Sequence, residues 1–116
     1  MTSYMRINIP VPEVDLVFDT ECPTVVDARA LLRTALAEAG LPETWREWER
    51  DAEGTPAELR GLGSPTILVN GVDVSGVEPG AGSVDRANCC RVYENDGRLR
   101  GVPPLKAVLG ALSRGV

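Results

Sequence analysis

Apolar and polar positions follow one another along this chain with periods that change from block to block, and each change marks an element. Val14-Asp15-Leu16-Val17-Phe18 reads as an apolar strand. Val25, Val26, Ala28, Leu31, Leu32, Ala35 and Leu36 then recur at helical spacing. Pro23 suits a first helical position and Gly40 a stop, so a helix is predicted over about 23–39. In Thr44–Arg50 two tryptophans stand three apart, a spacing that fits a helical turn as well as a strand that places them on opposite faces; the segment is read as a strand because the fold needs one there. Thr55-Pro56-Ala57-Glu58 has the form of a capping box with proline at the first helical position, predicting a short helix to about Leu62. Pro65–Val69 reads as a buried strand, and Asn70-Gly71 is a strong hairpin signal that makes Val72–Val74 its antiparallel partner.

Residues 75–88 are rich in Gly and Ser and lack periodicity, as a long functional loop does. Cys89–Tyr93 reads as extended, Glu94–Gly97 as a turn, and Leu105, Val108, Leu109 and Leu112 as one face of a last helix opened by Pro103-Pro104. The chain therefore divides into an extended N-terminal arm, residues 1–13, and a single domain, 14–116. The apolar runs are of strand length, far short of the ~20 residues of a membrane span. Met1–Arg6 lacks the features of a secretion signal, which points to the cytoplasm, where thiols stay reduced. A net charge of −5, with basic residues scattered singly and few aromatics, argues against nucleic-acid binding.

Candidate chemistry centres on the three cysteines, because histidine is absent and with it the commonest general base. Cys22 stands where the first strand gives way to the first helix, where a helix N-terminus favours the thiolate. Cys89 and Cys90 are neighbours, about 3.8 Å apart at Cα, too close for ordinary disulfide geometry, and so read as working thiols. Asp19, three residues before Cys22, is the nearest candidate proton donor; Glu21, Asp27, Arg29 and Arg33 read as surface charges, and Asp85 and Arg86 as loop charges within reach of the site. An order of strand, helix, strand, short helix, hairpin and helix, with a thiol after the first strand and Pro65 heading the third, is the thioredoxin-like layout. That fold is α/β, with a central four-stranded mixed sheet flanked by helices. Antiparallel first and third strands would bring Cys22, Ser64, Pro65 and the 75–90 segment to one sheet edge. The same layout predicts a cis Ser64-Pro65 bond and a binding surface formed by Ser64, Pro65 and Pro23. Val25 stands where a redox thioredoxin would carry its second cysteine, which leaves Cys89 or Cys90 as the resolving thiol.

Cys22-Pro23, the run Gly63-Ser64-Pro65-Thr66-Ile67-Leu68-Val69-Asn70-Gly71, Cys90-Arg91-Val92-Tyr93 and Gly101-Val102-Pro103 resemble small bacterial thioredoxin-like proteins named as alkylmercury-lyase-like. The resemblance covers about residues 14–113. It implies two cysteines, Cys22 with Cys89 or Cys90, that bind the metal, and an acid, Asp19, that protonates carbon. The leading expectation is thus a thiol protein holding a soft metal or organometal (mercury, copper or arsenic) through Cys22, Cys89 and Cys90, with carbon–metal cleavage as a further activity the resemblance implies. Two alternatives stand beside it. One is a thiol–disulfide oxidoreductase in which Cys22 attacks and Cys89 or Cys90 resolves. The other is a non-catalytic binding module. The partners implied are a small-molecule or metal ligand, or a protein thiol, with no nucleic acid and no membrane.

Overall fold

The computed structural model of the chain describes residues 11–76, 91–95 and 97–114. Within them the sequence folds as α/β, with a four-stranded mixed sheet, a separate two-stranded ribbon and three helices. Residues 1–10 of the expected arm, 77–88 of the expected loop with Asp85 and Arg86, and Cys89 and Cys90 lie outside the described residues.

The first apolar run becomes β1 (Val14–Phe18), an inner strand of the sheet. Strand β2 (Arg46–Glu49) pairs parallel with it, and the connection between two parallel neighbours has to cross over the sheet. That crossover contains α1 (Val25–Glu38). After the four-residue α2 (Ala57–Arg60), β3 (Thr66–Val69) pairs antiparallel with the other side of β1, and β4 (Val72–Asp73) completes the order β2-β1-β3-β4. Asn70 and Gly71 both have positive φ, 53° and 82°, as the tight turn between β3 and β4 requires. The same Asn70 fastens the turn to the start of β1: its N–H donates to Glu13 O at 2.7 Å and its Oδ1 accepts the Glu13 N–H at 2.9 Å.

Alternation along the strands separates two layers. Val14, Leu16, Ile67 and Val69 face the buried stripe Val25, Ala28, Leu32, Ala35 and Leu36 of α1, together with Val108, Ala111 and Leu112 of α3 (Leu105–Arg114). Val17 and Leu68 turn the other way, onto Leu62, Leu59 and Trp48. Trp45 packs on the first layer and Trp48 on the second, the opposite-face placement expected of tryptophans three apart on an extended segment. Helix α1 ends as Gly40 takes φ 74°: Leu41 N–H bonds to Leu36 O and Gly40 N–H to Ala37 O, which closes the last turn.

Three expectations need correction. Helix α1 starts at Val25 rather than Pro23, because Asp19–Val25 first makes a turn in which Cys22 N–H bonds to Asp19 O at 2.9 Å; Val26, counted on the apolar stripe, is 66% exposed. Thr55 does not cap α2: its hydroxyl donates to Glu49 O at 2.6 Å, and the helix runs only Ala57–Arg60. Glu94 is not a turn residue, since β5 (Tyr93–Asn95) and β6 (Arg98–Arg100) form an antiparallel ribbon with Asn95 opposite Arg98. Only residues 96 and 97 connect them, and Gly97 has φ 79°. No described helix is long and apolar enough to cross a membrane.

Helix α1 is tied to β2 by a two-pronged ion pair. Arg29 Nε and Nη2 donate to Glu47 Oε2 and Oε1 at 2.9 and 3.0 Å, and Trp45 Nε1 adds a third bond at 2.9 Å. The Arg29 hydrogen bond, opposed by partial burial, holds the Glu47 carboxyl below its ordinary value. A carboxyl that is more acidic when folded stabilises fully above its unfolded value of about 4.3 and loses that contribution as pH falls through the folded one. Glu47→Gln should therefore cost about 0.2–1 kcal/mol at pH 7, the range for a largely exposed pair, and less at pH 3. Urea unfolding of both proteins at the two pH values checks this.

Candidate functional site around Cys22 and Ser64

Because β1 and β3 are antiparallel, with Val17 opposite Thr66, the residues after β1 and those before β3 meet at one edge of the sheet. The Asp19 N–H donates to Ser64 Oγ at 2.8 Å, and the Cys22 thiol donates to Ser64 O at 3.7 Å. Sulfur is also 3.2 Å from Thr24 Oγ1. Cys22 is 7% exposed and Ser64 fully buried. The Ser64–Pro65 peptide bond is cis. Among the residues expected at the site, Cys22, Asp19, Ser64 and Pro65 therefore come together, with Pro23 exposed beside them. Cys89 and Cys90 lie outside the described residues, but Arg91, which follows Cys90 in the sequence, donates its N–H to the same Ser64 carbonyl at 2.8 Å.

Asp19 is engaged in holding the turn. Its Oδ1 accepts the Glu21 N–H at 2.9 Å, and its Oδ2 lies 3.9 Å from Nη1 of the buried Arg50. Arg50 in turn donates to Arg60 O through Nε and Nη2, linking this edge to α2. Glu21 and Asp27 are exposed, in keeping with a surface role.

A second group of side chains, whose supporting role the sequence does not show, holds Ser64 and Pro65 from the other side. Arg91 Nη1 donates to Thr66 Oγ1 at 2.9 Å and to Asp73 Oδ2 at 2.7 Å, and Nη2 reaches Ser75 Oγ at 3.3 Å. Asp73 Oδ1 accepts both the N–H and the hydroxyl of Ser75. The Tyr93 hydroxyl donates to Pro65 O, and the Arg91 guanidinium lies over the Tyr93 ring, 4.5 Å from its centre. Burial pushes the Tyr93 phenol well above its ordinary value, with the Arg91 charge opposing, so the hydroxyl stays a donor across the working pH range. Residues 64, 65 and 66 thus each accept a hydrogen bond from the 91–93 segment. In the sequence the signal for this was Arg91 and Tyr93 two apart on one face of an extended piece, together with an acid at Asp73; nothing local joined them.

Among the described residues no group of three or more His, Cys, Asp or Glu side chains is placed to hold a metal ion. With the described residues alone, this edge offers one thiol with a hydrogen-bond acceptor and a hydroxyl neighbour. No family model, curated protein or solved structure matches the chain.

Removing one partner of a buried ion pair strands the other charge. Arg91→Ala should destabilise the fold by about 3 kcal/mol, the low end for a buried pair, because Arg91 keeps 17% side-chain exposure against 5% for Asp73. Equilibrium unfolding in urea measures it, and a loss under about 1 kcal/mol, typical of surface pairs, would mean the guanidinium is not an anchor.

Proposed function

We propose that the chain is a thioredoxin-like thiol protein of the cytoplasm that captures a soft metal or organometal, with Cys22 as one thiolate ligand and Cys89 or Cys90 as another. The thioredoxin-like part is supported by the sheet order β2-β1-β3-β4, with a parallel β1–β2 pair joined through α1 and an antiparallel β3–β4 hairpin. One observation carries the functional part: the Cys22 thiol and the N–H of Arg91, the residue next after Cys90, bond to the same Ser64 carbonyl. Two soft sulfur ligands suit mercury, copper(I) or arsenic far better than hard cations. Ser64 and Pro65, both buried, back the Cys22 thiol from the interior, and Pro23 is exposed beside it. Capture, rather than carbon–metal cleavage, is the reading adopted, since the Asp19 carboxylate that would supply the proton is already bonded to the Glu21 N–H and near Arg50.

Titrating the reduced protein with mercuric ion should raise a thiolate charge-transfer absorption that saturates near one ion per chain. Cys22→Ser, and the double variant Cys89→Ser/Cys90→Ser, should each weaken binding at least tenfold. If Cys22→Ser binds like the parent, there is no shared site. Reduction of insulin disulfides by a protein that fails to bind mercury would replace capture with dithiol exchange.

A further inference from the structure

Helix α2 has four residues, and none of them is buried. It covers the sheet face that carries Val17, Leu68 and Trp48 only in part, and Trp48 is left half-buried. A cleft of about 440 Å³ opens there, lined by residues of α2, β1, β2 and β3. That volume falls within the roughly 300–1,000 Å³ of small-molecule sites. Its apolar lining includes Trp48, Leu59, Leu62 and Leu68. Trp48 Nε1 is committed to Asp15 Oδ1 at 2.9 Å, so the rest of the indole offers the cleft carbon alone. None of the lining residues belongs to the group around Cys22 and Ser64.

The charges at the rim decide what such a cleft accepts. Arg46 is the one cation among the described residues that line it, and its donors are engaged: Nε and Nη2 reach the two oxygens of Asp15, and Nη2 also reaches Glu13 Oε1. Glu58, in the first turn of α2, lines the cleft, is exposed, and has no ion pair among the described residues. Glu13, Asp15 and Glu58 thus set three negative charges against the single positive charge of Arg46. Asp73, opposite Leu68 on β4, adds nothing to this balance because Arg91 cancels it. A surplus of carboxylate beside an apolar lining repels anions and attracts cations.

We propose that this cleft binds a small organic ammonium ion, with its apolar body against Trp48, Leu62 and Leu68 and its charge at Glu58. The site stands apart from metal capture at Cys22 and does not depend on it.

The test titrates phenethyltrimethylammonium into the isotope-labelled full-length protein, with phenethyl alcohol as the neutral counterpart and hydrocinnamate as the anionic one. The two indole N–H signals of the proton–nitrogen spectrum are told apart with Trp45→Phe. The ammonium should move the Trp48 signal saturably and leave that of Trp45, which packs on the other layer, in place. Phenethyl alcohol should bind about threefold more weakly, and hydrocinnamate about tenfold or more. Glu58→Gln should weaken ammonium binding about threefold, the worth of one exposed ion pair, and Glu58→Lys about tenfold, while phenethyl alcohol binds both variants as it binds the parent. Absence of a saturable movement of the Trp48 signal overturns the proposal. Hydrocinnamate binding as tightly as the ammonium does so too, since Arg46 would then be the recognising group. Equal binding of phenethyl alcohol would leave a cleft that does not select for charge, and an ammonium affinity unchanged in both Glu58 variants would remove its anchor; either result also overturns it.

Discussion

The sheet edge where Cys22 and Pro65 meet depends on the two oxygens of Ser64, a residue with no exposed surface. Its hydroxyl accepts the Asp19 N–H, which fixes where the chain leaves β1; its carbonyl accepts the Arg91 N–H and the Cys22 thiol. A carbonyl has two lone pairs, and here the backbone of a distant segment and the Cys22 thiol use one each. Taken out of water, such an oxygen is costly to leave unpaired, so the three segments hold one another in place. Among the described residues no buried side-chain nitrogen or oxygen lacks a partner.

Much of the fold was legible because its signals are local. The apolar run Val14–Phe18 is β1 to the residue, and Asn70-Gly71 turns as its positive-φ requirement dictates. The junction of Cys22 with Ser64 and Pro65 followed from one further step, the antiparallel sense of β1 and β3. What escaped was set by tertiary competition. Thr55 had the right neighbours for a helix cap, yet its hydroxyl found Glu49 O, and Pro23 had the right place for a helix start but was drawn into the turn that presents Cys22. The roles of Arg91, Tyr93 and Asp73 exist only once the 91–93 segment lies along residues 64–66.

The two sides of the sheet are furnished differently. One is covered by α1 and α3 and holds most of the apolar core. On the other, α2 is a single short turn, and a carboxylate stands within β1: Asp15 is 6% exposed and receives Arg46 Nε at 2.7 Å, Arg46 Nη2 at 3.1 Å and Trp48 Nε1 at 2.9 Å. Arg46 sits directly opposite Asp15 in the parallel pairing, so this pair also marks the register of β2, since a slip of one residue would take the guanidinium to the other face.

Trp45 and Trp48 give that edge strand a spectroscopic signature. They are the only tryptophans of the chain, they lie at the beginning and within the same segment, and each indole N–H is bonded to a carboxylate, Glu47 on one side and Asp15 on the other. Intrinsic fluorescence excited at the indole band therefore samples both faces of the sheet through one strand. Detachment of β2 alone would change the emission of both indoles at once, even with the β1–β3 centre of the sheet still in place.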